Sequence, residues 1–270
     1  MPVASANPLR SGSDAMSIIK LTNLEKSYGA LKVLRGIDAE IGEGETFAII
    51  GPNGAGKTTL FKVMTGEVPS NGGRVEFDGK DVTHDPAYRR ARAGMGRTFQ
   101  VARVFLELTV IENVIIAIEA RRKNTGDSDD AWYAVVSSRS VVDEARQLLA
   151  NLDLELKRNT EASILSHGDK KRLELAITLA GRPRILMLDE PTAGMSPSDR
   201  IGVVDLIRRL RDESRLTIVM TEHDMSVIFG LADRIMVMNQ GARLAIGSID
   251  EIRSSQVVRD VYLGKESQHD

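Results

Sequence analysis

The stretch TFAIIGPNGAGKTTLFKVMTG, residues 46–66, joins a solidly apolar run to a glycine-rich loop and then to a segment with helical spacing. A short apolar run ending in glycine predicts a strand buried on both faces. KTTLFKVMTG has helical periodicity and closes at Gly66, a residue suited to a helix C-terminus. Between them GPNGAGKTT, Gly51–Thr59, fits the pattern G-x-x-x-x-G-K-[ST] in full, in the strand–loop–helix setting that the pattern needs. Its glycines let backbone N–H groups turn inward around a phosphate, and the helix start adds the positive end of its dipole. Gly51, Pro52, Asn53, Gly54, Ala55, Gly56, Lys57, Thr58 and Thr59 are therefore the candidate phosphate-binding residues. Lys57 is placed to reach the terminal phosphates, and Thr58 offers a hydroxyl to Mg²⁺.

A second stretch, RILMLDEP at 184–191, reads as a buried strand that delivers Asp189 to its C-terminal end, where open α/β sheets place their ligands. A carboxylate there suits Mg²⁺. Glu190 follows directly and is a candidate to polarise a water for attack on a γ-phosphate. The plainer readings are a strand-end cap for Asp189 and a solvated acid for Glu190. Together the two stretches point to a nucleoside triphosphatase with a phosphate loop.

Outward from these, SIIKLTNLEKSY and GIDAEIGEGETFAIIG have strand patterns, with Ile37, Ala39 and Ile41 alternating with Asp38 and Glu40 as in an antiparallel strand with one wet face. From about 100 to 165 the pattern is helical: TVIENVIIAIEARRK puts Val110, Val114, Ile115 and Ile118 on one face, NTGDSDD is a polar loop, and SVVDEARQLLANLDL is a second amphipathic helix. Beyond it SDRIGVVDLIRRLRDES predicts a helix, LTIVMTEH a strand, MSVIFGLA a helix, and DRIMVMNQGARLAIG a hairpin turning at NQG. Strand–helix alternation implies a mostly parallel sheet.

The chain has 270 residues, 42% hydrophobic and 27% charged, an ordinary globular composition. Its 36 basic and 38 acidic residues give a formal net charge of −2, so charge predicts no nucleic-acid partner. No cysteine is present, which removes disulfides, thiolate metal sites and thiol nucleophiles. His84, His167, His223 and His269 are scattered, with no pair at metal-ligand spacing. No window approaches the roughly 20 apolar residues of a membrane span. Residues 1–15 lack the apolar centre of a signal peptide and are expected to be a disordered tail, with the fold starting at Met16.

The remaining motifs carry a resemblance. Tyr28 in KSYG, the GPNGAGKTT loop, Gln100 in RTFQ, LSHGD at 165–169, LMLDEPTAG at 186–194 and His223 in TEHD stand in the order found in ATP-binding subunits of ABC transporters. The chain resembles that family from Ile18 to about Gly264. The resemblance implies an α/β fold: a P-loop NTPase core with a mostly parallel sheet, an N-terminal antiparallel β sub-domain, and a helical sub-domain inserted at about 100–180. One domain would cover 16–264, with 265–270 a tail. It also implies ATP and Mg²⁺ as ligands. By the same resemblance Tyr28 stacks on adenine, Gln100 senses the γ-phosphate and Mg²⁺, Asp189 positions Mg²⁺, Glu190 polarises water, and His223 contacts the γ-phosphate. Ser166 and Gly168 belong to the signature motif, which in this family faces the ATP of a partner subunit.

This signature departs from the family's usual Leu-Ser-Gly-Gly-Gln. His167 and Asp169 replace a glycine and the glutamine, and Ser196 stands where an aspartate is usual. Asp169 is open to three readings: it repels a nearby triphosphate, caps its helix, or reaches a ribose hydroxyl. The cationic run Lys170–Arg172 either favours an anion or is a solvated face, and the solvated face is the expected one.

Within the family, GRTFQVARVFLELTVIENV, TEHDMSVIFGLADRIMVMNQG and SIDEIRSSQVVRDVYLG are most similar to ATPase subunits of branched-chain amino acid importers, a group that also contains urea and short-amide importers. That implies a second ATPase subunit, identical or different, two transmembrane permease subunits, and indirectly an external solute-binding protein. It also implies a peripheral position on the cytoplasmic face of the inner membrane. Val101 to Glu112 is the expected docking surface for the permease, with core packing the alternative for any one residue. A soluble non-transport ABC ATPase, a P-loop kinase or GTPase, and an exporter subunit remain the competing readings.

Overall fold

The computed structural model describes residues 17–98, 104–126 and 138–262. Among these, the strands form two sheets. The first holds β1 (Ser17–Tyr28), β2 (Leu31–Gly42), β4 (Gly72–Phe77) and β5 (Lys80–Asp81), all antiparallel, in the order β2-β1-β4-β5. The second has the order β10-β9-β3-β8-β7-β6, from β3 (Thr46–Ile50), β6 (Met95–Arg97), β7 (Ile185–Asp189), β8 (Thr217–Thr221), β9 (Arg234–Asn239) and β10 (Ala242–Ser248). It is parallel apart from the β9–β10 hairpin at its edge. The expected mostly parallel sheet and N-terminal antiparallel pair are both present.

The middles of β3, β7, β8 and β9 are continuously apolar because each face meets a different layer. Phe47 and Ile49 of β3, Met187 of β7, Val219 of β8 and Met236 of β9 pack toward the antiparallel sheet, with Leu60, Phe61 and Met64 of helix α1 (Lys57–Met64). Their neighbours Ala48, Ile50, Leu186, Leu188, Ile218, Met220 and Val237 face the opposite way, toward the helices. Those include α3 (Val110–Thr125), α4 (Arg139–Asn151), α5 (His167–Ala180), α6 (Pro197–Ser214) and α7 (Met225–Leu231). Alternation with a period of two thus divides one run of apolar residues between two cores.

The described part of the segment between β6 and β7 is helical, and those two strands are neighbours in the sheet. In α3, Val110, Val114 and Ile118 are fully buried and Ile115 partly so, while Thr109 and Glu112 close a reciprocal cap at its start. Glu144 of α4 accepts hydrogen bonds from Arg121 and Arg122 of α3 and from Arg182 beyond α5, pinning the three helices together.

Residues 67–98 contribute elements that sequence periodicity did not mark. The β4–β5 hairpin turns at Asp78-Gly79, both at positive φ, a turn whose dipeptide signal stood in the sequence. Helix α2 (Ala87–Arg92) and β6 are each too short for a periodic pattern. The last described elements are α8 (Ile249–Ser254) and α9 (Gln256–Tyr262). No described helix is long and apolar enough to cross a membrane.

Candidate functional site

The loop from Gly51 to Gly56 leaves the C-terminal end of β3 and feeds α1. A side chain at Gly51, where φ is +155°, would place its Cβ 2.3 Å from the Met238 carbonyl oxygen. At Gly56, φ +101°, the Cβ would lie 2.9 Å from the Val33 carbonyl oxygen. Both glycines are demanded by close backbone approach as well as by φ. The β9–β10 turn braces the loop from outside: the Gly241 N–H donates to Ala55 O at 3.0 Å, and the Arg35 N–H donates to Gly241 O at 2.9 Å. Lys57 folds back over the loop, its ammonium donating to Gly51 O at 2.6 Å and Pro52 O at 3.3 Å. Burial pushes this ammonium below the usual lysine range, against the pull of Glu190 and Asp189.

Asp189 ends β7 and is 3% exposed. Its Oδ1 accepts the Thr221 hydroxyl at 2.7 Å, and its Oδ2 lies 3.3 Å from the Arg97 guanidinium. Arg97 also reaches Thr65 and Glu67, so it ties β6 and the end of α1 to Asp189. Glu190 adopts φ +50°, a left-handed conformation rare for such a residue. Its N–H donates to Thr221 O at 3.1 Å and to the Thr221 hydroxyl at 3.2 Å. The Glu190 carboxylate turns to the next loop, where Oε1 sits 3.0 Å from His223 Nε2.

A cleft of about 320 Å³ is lined by Leu31, Val33, Asn53 to Thr59, Glu190 and His223. The fold therefore brings the phosphate loop, the acid and the histidine together from 53, 190 and 223. Tyr28 does not line this cleft. It pairs with Leu31 at the end of the β1–β2 hairpin, half exposed, with Lys26 Nζ 5.1 Å from its ring centre. Leu31 and Val33 line the cleft in its place, residues that carried no motif. Gln100 lies outside the described residues, as do Val101 to Arg103 of the expected docking surface. In the rest of that surface Phe105 and Leu106 are exposed, and Asn113 holds the Phe105 backbone by Oδ1 at 2.8 Å and Nδ2 at 3.0 Å.

Ser166 and Gly168 do not line the cleft. Ser166 caps α5, its Oγ accepting from the Asp169 N–H at 3.1 Å and donating to Asp169 Oδ2 at 2.9 Å. The same Asp169 oxygen forms an ion pair with Lys157. The Asp169 carboxylate thus supports the capping residue Ser166 and pairs with a cation, and does not itself accept a backbone N–H of the helix start among the described contacts. Ser196 caps α6 in the same way, with Asp199 at the same spacing. The two helix starts touch: a Cβ on Gly168 would lie 3.4 Å from Asp199 Cγ. The expectation of a solvated face for Lys170–Arg172 fails at Lys171, which is buried and 3.5 Å from Glu174, while Arg172 lies 3.6 Å from Asp153. A charge near a helix start can be buried where a residue three positions on supplies its counter-ion.

Comparison with known proteins agrees with this geometry. Residues 34–193 match the family model described as ABC transporter. The high-affinity branched-chain amino acid transport ATP-binding protein BraF of Pseudomonas aeruginosa is 37% identical over 251 residues, covering 92% of this chain and 98% of that protein. The crystal structure of the ADP conformation of MJ1267, an ATP-binding cassette of an ABC transporter, superposes with a TM-score of 0.80 at 29% identity, covering 92% of this chain and 99% of that one. A dimeric post-hydrolysis structure of the ATP-binding cassette MJ0796, bound to ADP and Pi, gives 0.73 at 25% identity, covering 86% and 98%.

Proposed function

The chain belongs to the ABC transporter family as an ATP-binding subunit, an ATPase, and on that premise we propose that it powers import of branched-chain or other hydrophobic amino acids from Mg·ATP. The observation that carries the ATPase chemistry is the meeting of Lys57, Glu190 and His223 in one cleft. The solute class rests on the near full-length similarity to BraF. Residues 16–264 form one ATPase domain, with the helical sub-domain of about 100–180 inserted between β6 and β7.

Gly51 to Gly56 cradle the phosphates through backbone N–H groups, and Lys57 leaves its loop carbonyls for the terminal phosphates. Glu190 polarises the attacking water, held toward His223 by their 3.0 Å contact, and His223 touches the γ-phosphate. Tyr28, at the hairpin end beyond Leu31, closes on the adenine, and Gln100 completes the γ-phosphate side. The oxygen donors fit Mg²⁺: the Thr58 hydroxyl and the Asp189 carboxylate are hard ligands, and no described group of three or more His, Cys, Asp or Glu could cage a metal. Thr58 and Asp189 would hold the ion, and the chemistry it would supply there is neutralisation of phosphate charge.

Ser166 and Gly168, away from this cleft, serve the ATP of a second ATPase subunit. Leu156, Ile164 and Ile201 stand exposed on the turns and helix start around them, apolar surface suited to such a partner. Phe105, held by Asn113, and the exposed Leu106 meet a permease subunit at the cytoplasmic face of the membrane.

Glu190→Gln tests the chemistry. It should keep ATP affinity and slow hydrolysis about 10²-fold or more; hydrolysis at the parental rate would remove Glu190 from this role. Uptake of labelled leucine tests the solute. Deleting the gene should abolish high-affinity uptake, the parent gene should restore it, and Glu190→Gln should not. Unchanged leucine uptake after deletion would refute the solute class.

A further inference from the structure

The residue before His223 is an acid that the mechanism above leaves unused. Glu222 is 3% exposed, and no lysine or arginine forms an ion pair with it among the described residues. Its Oε1 accepts two donors from one residue, the Thr192 N–H at 2.9 Å and the Thr192 hydroxyl at 2.6 Å. Its Oε2 accepts the His223 N–H at 3.0 Å. Thr192 stands two residues after Glu190 and is itself buried. A single carboxylate therefore joins the loop that follows the acid to the loop that carries the histidine.

We propose that Glu222 is a positioning residue that clasps the His223 loop to the Glu190 loop, so that the histidine and the acid meet the γ-phosphate and its attacking water in one fixed arrangement. The inference rests on the roles given above to Glu190 and His223. A carboxylate suits the task because both oxygens accept. Glutamine presents one acceptor and one donor-only amide group, so a Gln at 222 would keep one anchor and set N–H against N–H at the other. In a buried site water does not readily repair that loss.

The test uses the full chain, with single-turnover hydrolysis at saturating ATP and nucleotide affinity measured side by side. Glu222→Gln should leave affinity within about 3-fold and cut hydrolysis at least about 10-fold, since part of an ångström at a reacting centre acts on that scale. On a His223→Ala background it should cost less than about a further 3-fold, because residues acting through one another are not additive. The Cε1–H signal of His223, identified among the four histidines by its loss in His223→Ala, should move in Glu222→Gln whether or not the chain turns over alone. Thr192→Val, which removes only the hydroxyl donor, should show the same pattern at smaller size and serves if Glu222→Gln does not fold. A parental rate with an unmoved His223 signal overturns the proposal. So do losses that multiply with His223→Ala, or a loss of affinity as large as the loss of rate. Glu190→Gln run alongside separates the two levels: full activity there refutes the catalytic reading itself, whereas its inactivity beside an active Glu222→Gln refutes only the clasp.

Discussion

Arg90 should be among the costliest surface-looking residues to change. It lies in AYRRAR of α2, a sequence that reads as a basic exposed helix, yet it is 2% exposed. Its Nη1 donates to Val63 O at 2.9 Å and Met64 O at 2.7 Å, the last carbonyls of α1. Nη2 donates to Thr83 O at 3.0 Å and Nε to Asp85 O at 3.0 Å. The guanidinium thus completes the C-terminus of the helix whose other end is the phosphate loop, where a cation is also favoured by the helix dipole. Arg90→Lys keeps the charge, so the cost of burying a cation largely cancels between the two proteins. An ammonium donates from one point rather than from a planar fork and meets at most two of these four carbonyls. Two buried acceptors left without donors cost about 2–4 kcal/mol. Against a total stability of roughly 5–15 kcal/mol that is a large share, and it lowers the melting temperature by about 4–16 °C. Urea unfolding of the nucleotide-free chain, followed by far-UV circular dichroism, measures it. Arg89→Lys, at the exposed neighbouring position, should stay within about 0.5 kcal/mol of the parent. An Arg90→Lys protein within that margin, or an Arg89→Lys protein that loses as much, would refute this role of Arg90.

Two further outcomes follow from other parts of the molecule. Lys57→Ala should abolish tight nucleotide binding in a titration with a fluorescent ATP analogue, and retained affinity would mean that the cradle has been misread. Acid should loosen the helical layer at Glu144. Burial there would raise its pKa, but hydrogen bonds from Arg121 and Arg122 and the charges of Arg121 and Arg182 outweigh it and hold the carboxyl at about 2 rather than 4.5. A carboxyl depressed on folding adds stability that is present above 4.5 and lost as pH falls toward about 2. Acid titrations of parent and Glu144→Gln should show the variant less stable at neutral pH and less sensitive to pH across that window. Parallel curves would refute it.

Much of the fold was legible because its signals are local. The apolar runs of β3, β7 and β8, and the 3.6-residue spacing of α3 and α4, follow from chain geometry alone. The Asp78-Gly79 turn is equally local, but β5 beyond it is only two residues long and carries no alternation to mark a hairpin. Arg90 was not legible, since charged residue types predict exposure and nothing in its own helix shows the α1 carbonyls that hold it inside; Lys171 was not, because its i,i+3 pairing with Glu174 within α5 is equally what a solvated face carries. Asp169 has three readings in sequence, and its contacts are set by Lys157, twelve residues earlier in the chain, and by Ser166.

By itself the sequence determined that this chain builds a phosphate cradle, a strand that ends in an acid, and a histidine one strand later, because each depends on neighbours along the backbone. Only the tertiary structure decided which groups hold those residues in place. Arg97 reaches Asp189, Thr192 reaches Glu222, and the β9–β10 turn braces Ala55. A hydrogen bond acts only at about 3 Å, and the order of strands in the sheet, not distance along the chain, sets which groups come that close.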